Sequence, residues 1–103
     1  MLATEGAIKA RVLQSKFEEA GIDVVIPDQR TQTMVSKIIY DIKKGKQPTS
    51  RMPTEISADL IEKGAQAIVL GCTELCIRSE EGTDFINTLD ILAKATLEEC
   101  NKL

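Results

Sequence analysis

The spacing of apolar residues predicts four helices along the chain. In four segments, apolar residues recur every three or four positions with charged residues between them, which is the pattern of a helix with one buried face. Gly21, Gly45 and Gly64 follow three of these segments, where glycine commonly ends a helix, and Pro53 suits the first turn of the third. The predicted buried stripes are Ile8, Val12, Leu13, Phe17 and Ala20 in the first helix, Met34, Val35, Ile38, Ile39 and Ile42 in the second, and Ile56, Leu60 and Ile61 in the third; residues 89–103 form the fourth, amphipathic helix.

Short apolar runs between these helices predict four strands. Residues 1–3, 23–26 and 83–87 are brief runs, whereas residues 67–71 are apolar throughout and indicate a strand that is covered on both faces. The polar residues 46–50 are expected to form a connector.

The alternation of strands and helices predicts an α/β fold. We expect a three-layer sandwich in which helices flank a short, mostly parallel sheet, formed by a single domain over residues 1–103. The length suits one ordinary domain, and an aliphatic composition with only 3% aromatic residues is typical of helices packed on a parallel sheet. The first strand begins at Met1, which indicates a chain that starts inside a strand.

The composition excludes several classes of function. A net charge of −3 argues against a nucleic-acid surface, because such surfaces need clustered Lys and Arg to neutralise phosphates. No apolar run approaches the roughly 20 residues of a membrane-spanning helix, and the N-terminal residues show no signal-peptide pattern. Three cysteines without secretory features favour reduced thiols, as in a cytoplasmic protein. The chain has no His, which removes the usual near-neutral base and the commonest metal ligand.

Candidate chemistry lies at the predicted strand ends. In open α/β sheets, ligands bind beyond the carboxyl ends of the strands. Residues 4–7, 71–74 and 87–88 follow such ends, and their backbone N–H groups and hydroxyls would hold a carboxylate without a cofactor. Cys72 is the sharpest candidate, because a thiol between a buried strand and the first turn of a helix is expected to favour the thiolate.

The helix dipole alone is too weak to activate this thiol. It contributes about 0.3–1 kcal/mol, less than the roughly 1.36 kcal/mol that corresponds to one pKa unit. Hydrogen bonds from Thr73 or from backbone amides would therefore have to contribute more than the dipole. Position alone leaves open whether Cys72 is reactive or a small buried core residue, since free cysteines are often core.

The other candidate residues have structural interpretations. Cys76 and Cys100 are predicted core residues of helices, because their spacing matches neither a zinc site nor a Cys-x-x-Cys redox motif. Lys43 belongs to a basic cluster at a helix end, where cations suit the helix dipole. One lysine of this cluster could instead reach a substrate carboxylate.

Several segments resemble the second half of the aspartate/glutamate racemase family. The resemblance spans essentially the whole chain and is most specific over residues 63–75, which include the turn Gly71-Cys72-Thr73-Glu74-Leu75. The other similar segments are residues 2–8, which resemble the strand-to-helix turn that opens that half, residues 27–28 with Gln32, Val35 and Ile39-Tyr40, and residues 42–46 at a lysine-glycine helix end.

The resemblance implies a cofactor-independent, two-base racemisation. One thiolate removes the α-proton of a dicarboxylic amino acid such as aspartate or glutamate, and a thiol on the opposite face returns a proton. By this resemblance Cys72 is one of the two catalytic thiols, and the substrate-binding residues are Thr4, Thr73, Glu74 and Lys43. The resemblance implies neither a cofactor nor a metal.

The chain departs from the family pattern at four points, of which one is the spacing from Tyr40 to Lys43, which is one residue short. Ala7 stands where a threonine is expected, and Asn87 stands where relatives often carry Asp. The family's first half, with its own cysteine turn, has no counterpart here, and neither Cys76 nor Cys100 is placed to replace that cysteine. We therefore expect the chain to supply one side of a two-sided site, and to pair with a missing N-terminal half or as a homo-oligomer.

Two alternatives stay open at this point. Within the superfamily, hydantoin racemisation and maleate isomerisation use similar turns. In a different class of function, the chain would be a truncated, catalytically silent domain that binds small carboxylates or self-associates.

Overall fold

A short parallel sheet flanked by helices forms the structure, a computed structural model that describes residues 1–46, 53–78 and 85–102. The elements in chain order are α1 (Glu5–Ala10), α2 (Val12–Glu19), α3 (Gln29–Lys43), α4 (Thr54–Glu62), β1 (Ile68–Leu70), α5 (Thr73–Arg78), β2 (Phe85–Asn87) and α6 (Thr88–Asn101). This architecture confirms the predicted α/β class. The predicted connector beyond Lys46, and the first two residues of the predicted last strand, lie outside the described residues. No helix in the described ranges is long and apolar enough to span a membrane.

β1 pairs in parallel with β2, as the alternation of elements predicted. The register places Ile68 opposite Phe85 and Leu70 opposite Asn87. Because the two strands run in the same direction, their carboxyl ends, and the residues that follow them, lie at one edge of the sheet.

The beginning of the chain lies along the other side of β1. Leu2 forms a single parallel bridge with Leu70. The Leu2 N–H donates to the Val69 carbonyl at 2.8 Å, and the Gly71 N–H donates to the Leu2 carbonyl at 2.6 Å. The predicted strand over residues 1–3 is therefore present as one bridge, and β1 lies between this segment and β2.

An aliphatic core connects the sheet to α3, α4 and α5. The predicted stripe residues Val35 and Ile39 of α3, and Ile56 and Leu60 of α4, are buried there, which confirms the inner faces of both helices. Burial of one such side chain stabilises the fold by roughly 1.5–3 kcal/mol. The other buried members of this core are Leu2, Ile68, Leu70, Leu75 and Cys76.

The first predicted helix is broken in two. Arg11 adopts a left-handed φ of 55° between α1 and α2. The Ile8 carbonyl there accepts hydrogen bonds from the Arg11 N–H at 3.2 Å and from the Gln14 amide at 2.9 Å. Because the break rotates α2 relative to α1, Gln14 is buried, whereas Val12 and Ala20 of the predicted stripe are exposed.

Two other predicted burials are wrong. Ile61 is 60% exposed, because it lies on the solvent side of α4. Among the described residues of α6 none is buried, and Cys100, a predicted core residue, is exposed. Leu92 and Leu97 are 63% and 64% exposed, so the last helix presents an apolar face that the described part of the chain does not cover.

Residues 23–26 do not form the predicted strand. Ile26 is 42% exposed, and the Val25 carbonyl accepts its hydrogen bond from the Met1 amino group at 2.7 Å instead of from a strand ladder. Val69 of β1 is only half-buried on this side, where it lines an open groove of about 590 Å³. The prediction that β1 is covered on both faces is therefore wrong for the face that carries Val69.

We predict that Gly71→Ala destabilises the fold by about 1–3 kcal/mol, which is the usual cost of an added methyl group in a tightly packed site. A Cβ at this position would lie 3.1 Å from both the Ala3 Cβ and the Leu2 carbonyl oxygen. Gly6→Ala is the matched control, because nothing lies within 4 Å of its added Cβ. Urea unfolding measures both variants, and equal losses of stability would contradict the close-packing argument.

We predict that the free energy of unfolding depends on pH through the Met1 amino group. Burial lowers its pKa from 8.0 to about 6, so between these values the unfolded chain binds more protons than the folded chain, and the free energy of unfolding rises with pH. We expect a gain of up to about 1 kcal/mol across this window, after allowance for solvent around the partly exposed amine. Urea unfolding at both ends of this pH range measures the gain in the free energy of unfolding. An N-terminally acetylated chain is the control and should lack the gain. The same gain in the acetylated chain would exclude the amine as its source.

Candidate functional site

The segments that carry two of the predicted site residues meet at the carboxyl edge of the sheet. Thr4 precedes α1, and Cys72 stands between β1 and α5. The segments that carry them touch, since a Cβ on Gly71 would lie 3.1 Å from the Ala3 Cβ. Thr88, directly after β2, completes the same edge.

Cys72 is half-buried at the first turn of α5. Burial raises the pKa of its thiol, and the nearby Glu74 carboxylate raises it further. The backbone N–H groups of Leu75 and Glu74 hydrogen-bond the sulfur and oppose this shift, but the pKa stays above its ordinary value. The expected thiolate is therefore wrong for this chain, because burial outweighs the helix terminus, and Cys72 carries its proton at neutral pH.

Glu74 is the centre of a charged cluster beside Cys72. The Thr73 hydroxyl donates to Glu74 Oε2 at 3.2 Å, and Lys43 Nζ, at the end of α3, lies 3.8 Å from Glu74 Oε1. A hydrogen bond from its own backbone N–H, together with Thr73 and Lys43, lowers the pKa of Glu74, so the carboxylate is charged at neutral pH. The structure thus brings together three of the predicted substrate-binding residues, because Thr73 and Lys43 both contact Glu74.

Thr4 also has a structural role. Its Oγ1 accepts a hydrogen bond from the Ala7 N–H at 3.1 Å and so caps α1. The hydroxyl keeps its own proton for a second hydrogen bond, for example to a carboxylate oxygen. Ala7, where the resemblance implied a threonine, contributes a backbone N–H and a methyl group but no hydroxyl.

The bonds of Asn87 account for one departure from the family pattern. Its side-chain oxygen caps α6 by accepting from the Asp90 N–H at 3.0 Å, and its Nδ2 donates to the Cys76 carbonyl at 2.9 Å. An aspartate could make the cap, but its carboxylate could not donate the second bond. The neighbouring Thr88 hydroxyl donates to the Leu70 carbonyl at 2.6 Å, a link between β1 and α6 that no local sequence pattern indicates.

Gln32 is a positioning residue that was not among the predicted site residues. It is buried on α3, and its Nε2 donates to the Ala3 carbonyl at 3.0 Å and to the Ser36 hydroxyl oxygen at 3.1 Å. The first bond fixes the chain directly before Thr4. The sequence does contain an indication of this role. Gln32 lies one helical turn before the core residue Val35, so it is a polar side chain on the stripe of α3 that is predicted to be buried.

The other two thiols have different surroundings. Cys76 is buried in the core, which confirms its predicted place, and its thiol donates to the Leu70 carbonyl at 3.6 Å. Cys100 is exposed on α6. In the parts of the chain that the structure describes, no group of three or more His, Cys, Asp or Glu side chains is placed to hold a metal ion.

Comparison with known proteins links the chain to one family. The family model described as Asp/Glu/Hydantoin racemase matches residues 1–96. A curated protein of Pectobacterium carotovorum subsp. carotovorum, described as an uncharacterized protein in the pnlA 3′ region, is 30% identical over 104 residues, which cover 95% of this chain and 69% of that protein. No solved structure gives a significant match. The matched region contains every residue of the candidate site, from Thr4 to Thr88.

We predict that the Cys72 thiol titrates above the ordinary cysteine pKa of about 8.5, because burial and the Glu74 charge disfavour the thiolate. The pH dependence of iodoacetamide alkylation, followed at Cys72 by mass spectrometry, measures this pKa. The urea-unfolded chain is the control, since unfolding removes both effects. A folded-state pKa at or below that of the unfolded chain would contradict the prediction.

Proposed function

The chain belongs to the Asp/Glu/hydantoin racemase family, and from this premise we propose that it supplies the proton-donating thiol, Cys72, for cofactor-independent racemisation of a dicarboxylic amino acid such as aspartate or glutamate. The observation that carries the proposal is a half-buried thiol at the carboxyl edge of the sheet, protonated at neutral pH. A lysine and two hydroxyl groups on the adjoining turns support it, because they suit a substrate with two carboxylates.

The proposed reaction needs an acid and a base on opposite faces of the substrate. A thiolate on one face takes the α-proton, and the electron pair left on the α-carbon is stabilised by the adjacent carboxyl group. Cys72 donates its S–H proton to the other face of the same carbon, which inverts the centre. Cys72 is then the thiolate and the opposite thiol carries the proton, so the pair is set for the reverse direction.

The proposed binding roles follow from charge and hydrogen-bonding capacity. Lys43 would bind the distal carboxylate of the substrate, and the hydroxyls of Thr4 and Thr73 would donate to the α-carboxylate. Glu74 is negatively charged, so it would repel a carboxylate and suits the ammonium group of an amino acid instead. Glu74 would thus distinguish an amino acid from a dicarboxylate that lacks the amine.

The second thiol has to come from another part of the assembly. Cys76 is buried in the core, so its thiol is not accessible to a substrate. We propose that the chain pairs with an N-terminal half or with a second copy that places a thiol opposite Cys72. The exposed leucines of α6 support pairing, because contiguous apolar surface tends to mark an interaction site; they are Leu89, Leu92 and Leu97, at 40%, 63% and 64% exposure.

A catalytically silent domain is the second candidate function. A protonated thiol next to the Lys43–Glu74 ion pair is equally compatible with a domain that binds a carboxylate or self-associates without catalysis. Hydantoin racemisation and maleate isomerisation belong to the alternatives as well. The family's description includes hydantoin racemases.

We predict that the chain exchanges the α-proton of aspartate or glutamate with deuterium from solvent, and that Cys72→Ser reduces this exchange by at least about 100-fold, the usual contribution of one acid/base group. Proton NMR in deuterium oxide follows the α-proton of each enantiomer over a range of chain concentrations. Cys100→Ser is the matched control and should retain the exchange. No exchange with either enantiomer of aspartate or glutamate would contradict racemisation by paired copies of this chain, which is the only pairing that this experiment contains.

A further inference from the structure

An open groove of about 590 Å³ lies beside the first residue of the chain, near the amino end of β1. Residues 21–25 line one side of this groove, and residues 64–67 with Val69 line the other. We propose that the groove binds the carboxyl-terminal segment of a partner polypeptide, which lies in it as an extended strand parallel to β1 and places its terminal carboxylate against the Met1 amino group. Cys72 follows the opposite end of β1, so this inference does not depend on the proposed function.

The first two residues show that the gap between the two sides has the width of one strand. The Met1 amino group donates to the Val25 carbonyl on one side at 2.7 Å, and the Leu2 N–H donates to the Val69 carbonyl on the other at 2.8 Å. A single extended segment therefore spans the gap by hydrogen bonds. The groove continues this gap beyond the Met1 amino group, between the same two sides.

Backbone N–H groups on both sides of the groove can bond to an added strand. The N–H and C=O groups of one strand residue point to the same side. Because the Val69 carbonyl bonds to Leu2, the Val69 N–H also points away from β2 and toward the groove. On the other side, the N–H groups of Val24 and Val25 donate to no backbone carbonyl of the described residues. Backbone edges of this kind are the template on which an extended peptide adds as a strand.

The side chains of the groove favour an apolar peptide. Asp23 is the one charged side chain of the lining, and it is exposed. Ile86 of β2 is 37% exposed and lies in the groove, so an apolar residue of the peptide would cover it. The other large apolar residues of the lining are Met1, Phe17, Ile22, Val24, Val25 and Val69.

The Met1 amino group provides the complementary charge for a terminal carboxylate. An ammonium group has three N–H donors, and the Val25 carbonyl uses one of them. Burial lowers the pKa of this amine to about 6, and no charged group offsets the effect of burial. A carboxylate beside the amine would supply the opposite charge and raise the pKa again. The charge-assisted hydrogen bond favours a peptide with a free carboxyl terminus over the same peptide with a terminal amide.

We test the inference with the peptide Lys-Gly-Ala-Ile-Val-Leu, labelled with rhodamine at its amino end and carrying a free carboxyl terminus. Its last four residues copy residues 67–70, an apolar strand of this chain. Fluorescence anisotropy at pH 6, near the pKa of the amine, measures the Kd. We expect this peptide to bind about fivefold to tenfold more tightly than its terminal amide. The N-terminally acetylated chain is the control and should bind both forms equally. Equal affinities for the parent chain, or no binding at about 1 mM peptide, would overturn the inference.

Strand addition is tested separately from charge. The same peptide with an N-methyl group on its valine should bind at least about tenfold more weakly, because it lacks one backbone N–H of the strand. The unmodified peptide should slow hydrogen exchange at the Val25 and Val69 amides, as measured by NMR. Binding that protects neither amide would mean contact through side chains alone, which overturns the strand.

Variants of the chain test the position of the peptide. Ile86→Lys places a charge in the groove and should weaken binding by at least about tenfold. Ile77→Lys is the matched control, since Ile77 is 74% exposed and lies outside the groove lining, and it should bind as the parent chain does. Equal binding by both variants would overturn the position. Tighter binding by Leu92→Lys than by the parent chain would show that α6 of a second copy occupies the groove, which overturns its assignment to a partner peptide.

Discussion

The close contact between Gly71 and the first residues of the chain is the constraint on which the candidate site depends. The Gly71 N–H donates to the Leu2 carbonyl at 2.6 Å, and a Cβ on Gly71 would lie 3.1 Å from the Ala3 Cβ and the Leu2 carbonyl oxygen, so its neighbours would have to shift. This contact brings the turn that carries Thr4 against the turn that carries Cys72. Gln32 holds the same segment from α3, through the Ala3 carbonyl, so two buried interactions fix one edge of the site.

The state of Cys72 is set by two opposing physical effects. A helix N-terminus offers N–H groups to the sulfur and favours the thiolate, whereas burial and a neighbouring carboxylate favour the thiol. α5 has only six residues, so its terminus is a weak source of positive potential, and the thiol form prevails. In a two-base reaction, a protonated Cys72 suits the role of proton donor, since one of the two thiols must begin with a proton.

Two apolar surfaces distinguish this chain from a doubly wound sheet with both faces covered. The core lies on the face of β1 that carries Ile68 and Leu70, whereas Val69 faces an open groove of about 590 Å³. α6 presents Leu92 and Leu97 to solvent, although its spacing is that of a helix with a buried face. Uncovered apolar surfaces of this kind are typical of interaction sites.

The sequence by itself determined the class of fold, the inner faces of α3 and α4, and the strand-to-helix turn that carries Cys72, because these follow from spacing and turn rules that act over a few residues. Only the tertiary structure decided the break at Arg11, the exposure of Cys100, the protonation of Cys72 and the pairing of Lys43 with Glu74. Each of these depends on burial or on contacts between residues far apart in the chain. A local pattern predicts which face of a helix is apolar, but it does not predict whether another element covers that face or which charge lies beside a thiol.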